Sequence, residues 1–241
     1  MHIRRALPVR GPKLARRGLL LAPLAGCAPR LEQHVTGTPA AAFLAGGFAS
    51  LHAGGEAPGR ILGAVVGLDD GHVLTCAHVM PRATRAWLRR PDGRFAAARV
   101  AGRSPDLDVL VLRVEPGFLR PAAFADRLPV LGEAVWALGA PGIGPAMAAG
   151  QVDTTAAVLE GSGPGFIARM PALMGYSGGP VIVADGSVLG MTAALLRPGA
   201  AGLVAMLVGM DLDGMSRGEG RQVFALSATP LQAEARRLLA G

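Results

Sequence analysis

The chain has 241 residues, 51% of them apolar and only 4% aromatic, with 35 glycines and 19 prolines. That length fills one ordinary domain or two small barrels, and the mix favours short strands joined by tight turns. The net charge of +7 does not mark a nucleic-acid binder: Arg4, Arg5, Arg10, Lys13, Arg16 and Arg17 fall in the first 26 residues, which hold no acid, and the remaining 18 basic groups face 17 acids. No basic stripe is left to follow phosphates.

Residues 1–26 read as a secretion signal. A basic region runs to Arg17, and the nine apolar residues from Gly18 to Gly26 (GLLLAPLAG) precede Cys27. Nine residues are too few to span a bilayer as a helix, which takes about 20. Leu24-Ala25-Gly26-Cys27 resembles a bacterial lipoprotein lipobox, with Cys27 as the lipidated residue, and Arg16-Arg17 resembles a weak twin-arginine signal. The expectation is export across the inner membrane of a bacterium to a periplasmic, lipid-anchored location. The other readings are an ordinary cleaved signal and, more remotely, a mitochondrial transit peptide.

Residues 27–41 lack periodicity and read as a tether. Three hairpin signals follow: Asp70-Gly71, Asp92-Gly93 and Asp185-Gly186, each between apolar, β-rich runs. They predict an antiparallel all-β body without βαβ alternation. Thr229-Pro230-Leu231-Gln232 reads as a helix start with a capping box, and Leu231, Ala235, Leu238 and Leu239 form one apolar stripe. Of the two cysteines, Cys76 lies in an apolar run and reads as a small buried residue, so neither a disulfide framework, nor a zinc site, nor any other cofactor is expected. The segment Arg197 to Arg221 carries no readable motif.

The chemistry is carried by MGYSGGPVI, where Ser177 stands among Gly175, Gly178 and Gly179. A serine nucleophile needs a base. All five histidines, His2, His34, His52, His72 and His78, precede it, so the α/β-hydrolase order with histidine last is impossible. The subtilisin order needs an aspartate well ahead of the histidine, yet only Asp69 and Asp70 precede His78, in its own hairpin. The only lysine, Lys13, is in the signal, which removes a serine–lysine dyad. What survives is the order His, Asp, Ser, with His78 as the histidine and Asp106 or Asp108 as the carboxylate. As a plain β-protein, His78 would be a structural residue at a strand end and both aspartates solvated carboxylates.

Thr75-Cys76-Ala77-His78-Val79, Asp108-Val109-Leu110-Val111-Leu112-Arg113-Val114 and Gly175-Tyr176-Ser177-Gly178-Gly179-Pro180 resemble the three signature blocks of trypsin-like serine proteases. The spacing and the run GGPVIVADGSVLG are most similar to the bacterial HtrA/Deg branch. The resemblance covers Leu51 to Leu226 and implies two six-stranded antiparallel Greek-key barrels of chymotrypsin type with a short C-terminal helix. The barrels would occupy residues 42–130 and 131–228, and the helix 229–241. It implies Ser177 as nucleophile, His78 as base, Asp108 as the group that orients the imidazole, and the N–H groups of Gly175 and Ser177 as the oxyanion hole. Thr192 would hydrogen-bond Asp108.

It also implies a substrate site at Pro171, the floor of the specificity pocket, and along Thr192, Ala193 and Ala194, where an extended peptide would add to a strand edge. No acid lies between Gly161 and Ser177, so a small or medium apolar side chain is expected before the scissile bond, on a peptide or unfolded protein. Tyr176 replaces the acid that zymogen activation uses. The branch usually carries a C-terminal PDZ domain; with Gly241 directly after the helix, control by such a domain is not expected. The oligomeric state has no signal. The other classes are a catalytically silent binding lipoprotein with the same fold and, nearly excluded by histidine order, a lipoprotein esterase.

Overall fold

The computed structural model describes residues 37–142, 144–196 and 221–241. The signal, Cys27, most of the tether, and the segment from Arg197 up to Arg221 lie outside the described residues. Two closed six-stranded barrels follow one another. The first holds β1 (Phe48–Ala53), β2 (Ile61–Asp69), β3 (His72–Thr75), β4 (Arg85–Arg89), β5 (Phe95–Arg103) and β6 (Leu110–Arg113). The second holds β7 (Ala134–Gly139), β8 (Ala146–Leu159), β9 (Gly163–Met170), β10 (Pro180–Ile182), β11 (Val188–Leu196) and β12 (Arg221–Ser227). Their orders, β1-β2-β3-β6-β5-β4 and β7-β8-β9-β12-β11-β10, are the same pattern used twice, with every pairing antiparallel. The three Asp-Gly pairs connect β2 to β3, β4 to β5 and β10 to β11.

Alternation along the strands divides the apolar residues among three cores. Leu51, Val65, Val73, Leu88, Leu110 and Leu112 fill the first barrel, and Val135, Val152, Phe166, Val181, Leu189 and Val223 fill the second. Phe48, Val66, Leu74, Val109 and Val111 of the first barrel meet Leu138, Ile182, Met191, Phe224 and Leu226 of the second in a shared layer. A strand buried on both faces reads as an unbroken apolar run. This is why Val109-Leu110-Val111-Leu112 has no polar position until Arg113.

Among the described residues two α-helices bracket the barrels. α1 (Pro39–Leu44) begins inside the stretch read as tether, with Ala40, Phe43 and Leu44 buried. Phe43 and Leu44 lie in the shared layer, so burial, not periodicity, fixes this six-residue helix. α2 (Ala228–Ala240) starts one residue before the expected cap: Ser227 takes the N-cap position and no side chain caps it, so Thr229 and Gln232 form no capping box. The expected stripe faces inward, with Leu231 and Ala235 buried and Leu238 and Leu239 half-buried against the shared layer. Among the described residues no helix is long and apolar enough to cross a membrane.

Candidate active site

β3 ends at Thr75, and His78 lies beyond it on a one-turn 3-10 helix, Ala77–Val79, rather than at the strand end. Asp108 immediately precedes the apolar run into β6. Its carboxylate accepts twice from His78: Oδ1 takes the backbone N–H at 2.8 Å, and Oδ2 meets Nδ1 at 2.6 Å. The Asp108 side chain is 11% exposed and the imidazole 49%, so the carboxylate is covered while the ring reaches solvent. Asp106 takes no part; its N–H and that of Leu107 donate to Ser104 Oγ, which shapes the loop. Of the other histidines, His52 is buried between Ser50 Oγ and Gly59 O, and His72 pairs with Asp69.

Ser177 comes from the second barrel, in the loop before β10, yet it is fastened to the first. Its carbonyl accepts from Ala64 N–H of β2 at 2.9 Å. A side-chain carbon on Gly178 would stand 2.1 Å from Thr75 Oγ1 and 2.4 Å from Ala64 O, and Gly178 has φ +82°, so only glycine brings this loop so close to the strand leading to His78. One on Gly63 would meet Ser177 O at 2.5 Å and Val79 Cγ1 at 3.4 Å, so the serine and the helix of His78 converge on one point of β2.

Within its own barrel the loop is tied by Gly178 N–H to Thr192 O, Thr192 N–H to Gly179 O, and Ala140 N–H to Gly175 O, each 2.9 Å. Tyr176 is buried against Gly139, and burial pushes its phenol up to about 12. The position that zymogens give to an acid is here an anchor in the core. Gly175 has φ +99°, and the N–H groups of Gly175 and Ser177 donate to no group among the described residues. Nor does the Ser177 hydroxyl hydrogen-bond the imidazole in this state; contacts between nucleophile and base commonly tighten only with substrate in place.

Thr192 does not hold Asp108: its hydroxyl is buried with no hydrogen-bond partner among the described residues. A bulge between Thr192 and Ala194 shifts the register of β11 against β12 beyond Thr192, which itself still pairs with Ala225. What the sequence did not foretell is that Cys76 reaches across instead, donating to Thr192 O at 3.2 Å. Its sulfur, a ring nitrogen of His78 and a carboxylate oxygen of Asp108 lie within 4.8 Å of one another. Burial, and then the Asp108 charge, push the thiol well above its ordinary range, so it stays a neutral donor. Of the remaining expected substrate residues, Pro171 is exposed, Ala193 is buried and Ala194 half-buried. β10 pairs with β11 only as far as Met191, while β12 follows it to Leu196, so one edge of β11 has no partner strand there among the described residues.

The profile of the trypsin-like peptidase domain matches residues 62–191, which include His78, Asp108 and Ser177. The chain belongs to this family. It is 30% identical over 146 residues to the periplasmic serine endoprotease DegP of Escherichia coli, covering 56% of this chain and 30% of that one. A probable DegP-like periplasmic serine endoprotease of Pseudomonas fulva is 32% identical over 162 residues, covering 63% and 34%. The match thus spans about a third of these relatives' length. Among solved structures, the serine endoprotease from Yersinia pestis superposes with a TM-score of 0.64 at 20% identity, over 84% of this chain and 66% of that one. The likeness shows the two-barrel, chymotrypsin-like fold.

Proposed function

We propose that the chain is a serine endopeptidase of the HtrA/Deg type working through His78, Asp108 and Ser177. The observation that supports it best is the double grip of Asp108 on His78, in a junction where Ser177 is hydrogen-bonded to the same barrel. Ser177 Oγ attacks the scissile carbonyl as His78 Nε2 takes its proton. Asp108 keeps the ring proton on Nδ1 and stabilises the imidazolium. The proton then passes to the leaving amine, and water repeats the cycle on the acyl-enzyme. The unpaired Gly175 and Ser177 N–H groups would receive the oxyanion, each worth about 3 kcal/mol.

An extended peptide would pair with the edge of β11 near Ala194 that has no partner strand among the described residues. Pro171 and the acid-free stretch before Ser177 favour a small or medium apolar side chain ahead of the cleaved bond. Residues 1–26 would direct export and Cys27 carry the lipid, with residues 27–41 as tether, which puts the enzyme in the periplasm on envelope proteins; intact mass of the mature N-terminus tests this, since an unmodified Cys27 removes the anchor. The division into 42–130, 131–228 and 229–241 belongs to the same proposal.

A fluorophosphonate probe tests the chemistry. Wild type is labelled and Ser177→Ala is not, with turnover falling on the order of 10⁶-fold. The second reading, a silent peptide-binding lipoprotein, draws on the missing Ser177–His78 hydrogen bond; a folded wild type that resists labelling would establish it instead.

A further inference from the structure

The one-turn helix that carries His78 cannot hold itself in place. Its internal bond is Met80 N–H to Ala77 O at 3.2 Å, and none of its residues is buried. Fixing three residues for one hydrogen bond is unfavourable, so the helix is held from outside. The anchors come from the end of β5 and from the connection that follows it to β6. At the amide end, Ala77 N–H and His78 N–H donate to Asp108 O at 3.4 Å and Oδ1 at 2.8 Å. At the carbonyl end stands Arg103, the last residue of β5. One terminal nitrogen donates to Ala77 O at 3.1 Å, the other to Met80 O at 2.7 Å and Ala83 O at 3.4 Å.

Arg103 is paired in register with Leu110, two residues past Asp108, so the two anchors are fixed to each other. Among the described residues the guanidinium forms no ion pair; its fork is spent on carbonyls, a second bond to Ala77 O, which already accepts from Met80 N–H, and bonds to Met80 O and Ala83 O just past the helix. A planar guanidinium reaches three such acceptors at fixed angles, whereas a lysine ammonium is a point charge.

We propose that Arg103 is a positioning residue for His78: by clamping the carbonyl end of the helix while Asp108 clamps the amide end, it gives the imidazole one orientation toward Ser177. The proposal rests on the protease reading above. It acts through the backbone of the helix and not on substrate.

The test uses the full chain with Arg103→Lys and Arg103→Ala, beside wild type. It measures the kinact and KI of fluorophosphonate labelling, the Tm, and the proton NMR signal of the hydrogen between His78 Nδ1 and Asp108. Both variants should lose kinact on the order of 10²-fold, the penalty of misplacing a reacting group by about 1 Å. KI should stay unchanged, the Nδ1 proton signal should broaden or vanish, and millimolar guanidinium should restore kinact in Arg103→Ala alone. Wild-type kinact with a sharp Nδ1 signal in a folded variant overturns the proposal, as does a lowered Tm with kinact intact. If Arg103→Ala does not fold, Arg103→Lys carries the same readings. If wild type is not labelled at all, the protease reading fails, while the Nδ1 signal still reports whether Arg103 holds the ring.

Discussion

Exchanging Asp108 for asparagine changes one oxygen into an NH₂ group and leaves the shape alone. Two donors of His78 face this carboxylate, the backbone N–H at 2.8 Å and the Nδ1–H at 2.6 Å. A carboxamide offers one accepting oxygen and one donating NH₂. The backbone N–H cannot change its character, so it keeps the oxygen and the NH₂ turns to the ring. Nδ1 must then accept, and the ring proton moves to Nε2, the atom that takes the proton of Ser177 in the proposed mechanism. The base is lost without loss of packing. The same exchange in a serine protease with this triad lowers kcat about 10⁴-fold, roughly 5 kcal/mol of barrier; that size is borrowed, while the direction follows from the two contacts here. Fluorophosphonate labelling at neutral pH, with Tm measured in parallel, reads it directly. Labelling of Asp108→Asn within about tenfold of wild type, against the 10⁴ expected, would refute the tautomer argument. So would a loss of labelling that merely follows unfolding.

Three further outcomes are expected. Gly178→Ala puts a methyl against Thr75 Oγ1 and Ala64 O at positive φ, so urea unfolding should show about 2–6 kcal/mol of lost stability and the barrels should separate first at the serine loop. The raised pKa of Cys76 gives stability that is whole below the unfolded thiol's value of about 8.5 and falls as pH rises above it, by at most about 1.4 kcal/mol per pH unit; thermal melts from neutral to alkaline pH should show this slope in wild type and a shallower one in Cys76→Ala. Glu234 on α2 accepts two hydrogen bonds from Arg237, which with Ser104 holds its carboxyl down at about 2. That stability is present above the ordinary carboxylate value of about 4.3 and is lost as pH falls through about 2, so the Tm difference between wild type and Glu234→Gln should close across that acid window.

Much of this was legible because it rests on short-range chemistry. Asp-Gly pairs announce their hairpins through backbone conformation alone, and the two-sided burial of Val109 to Leu112 is visible as an unbroken apolar run. The order of His78, Asp108 and Ser177 along the chain removed rival folds before any geometry was known. Other features depend on what lies opposite in space. The short helix from Pro39 exists because Phe43 and Leu44 find the layer between the barrels. The resemblance implied that Thr192 holds Asp108, and the buried Thr192 hydroxyl finds no partner among the described residues. Arg103 left no signature because its partners are carbonyls, which every residue has. Cys76 looked like filler because nothing in its neighbours reveals that Thr192, from the other barrel, ends beside its sulfur.

The helix α2 leaves the second barrel and lies across the first, packing on β5 and β6 as well as β11 and β12. A methyl on Gly102, next to Arg103, would strike Leu238 of this helix at 2.8 Å. On the ribosome, then, β5 lacks this backing until a segment made after the entire second barrel has emerged. The first barrel therefore completes its outer packing only after the second has been made, an order of assembly set by where α2 sits along the chain.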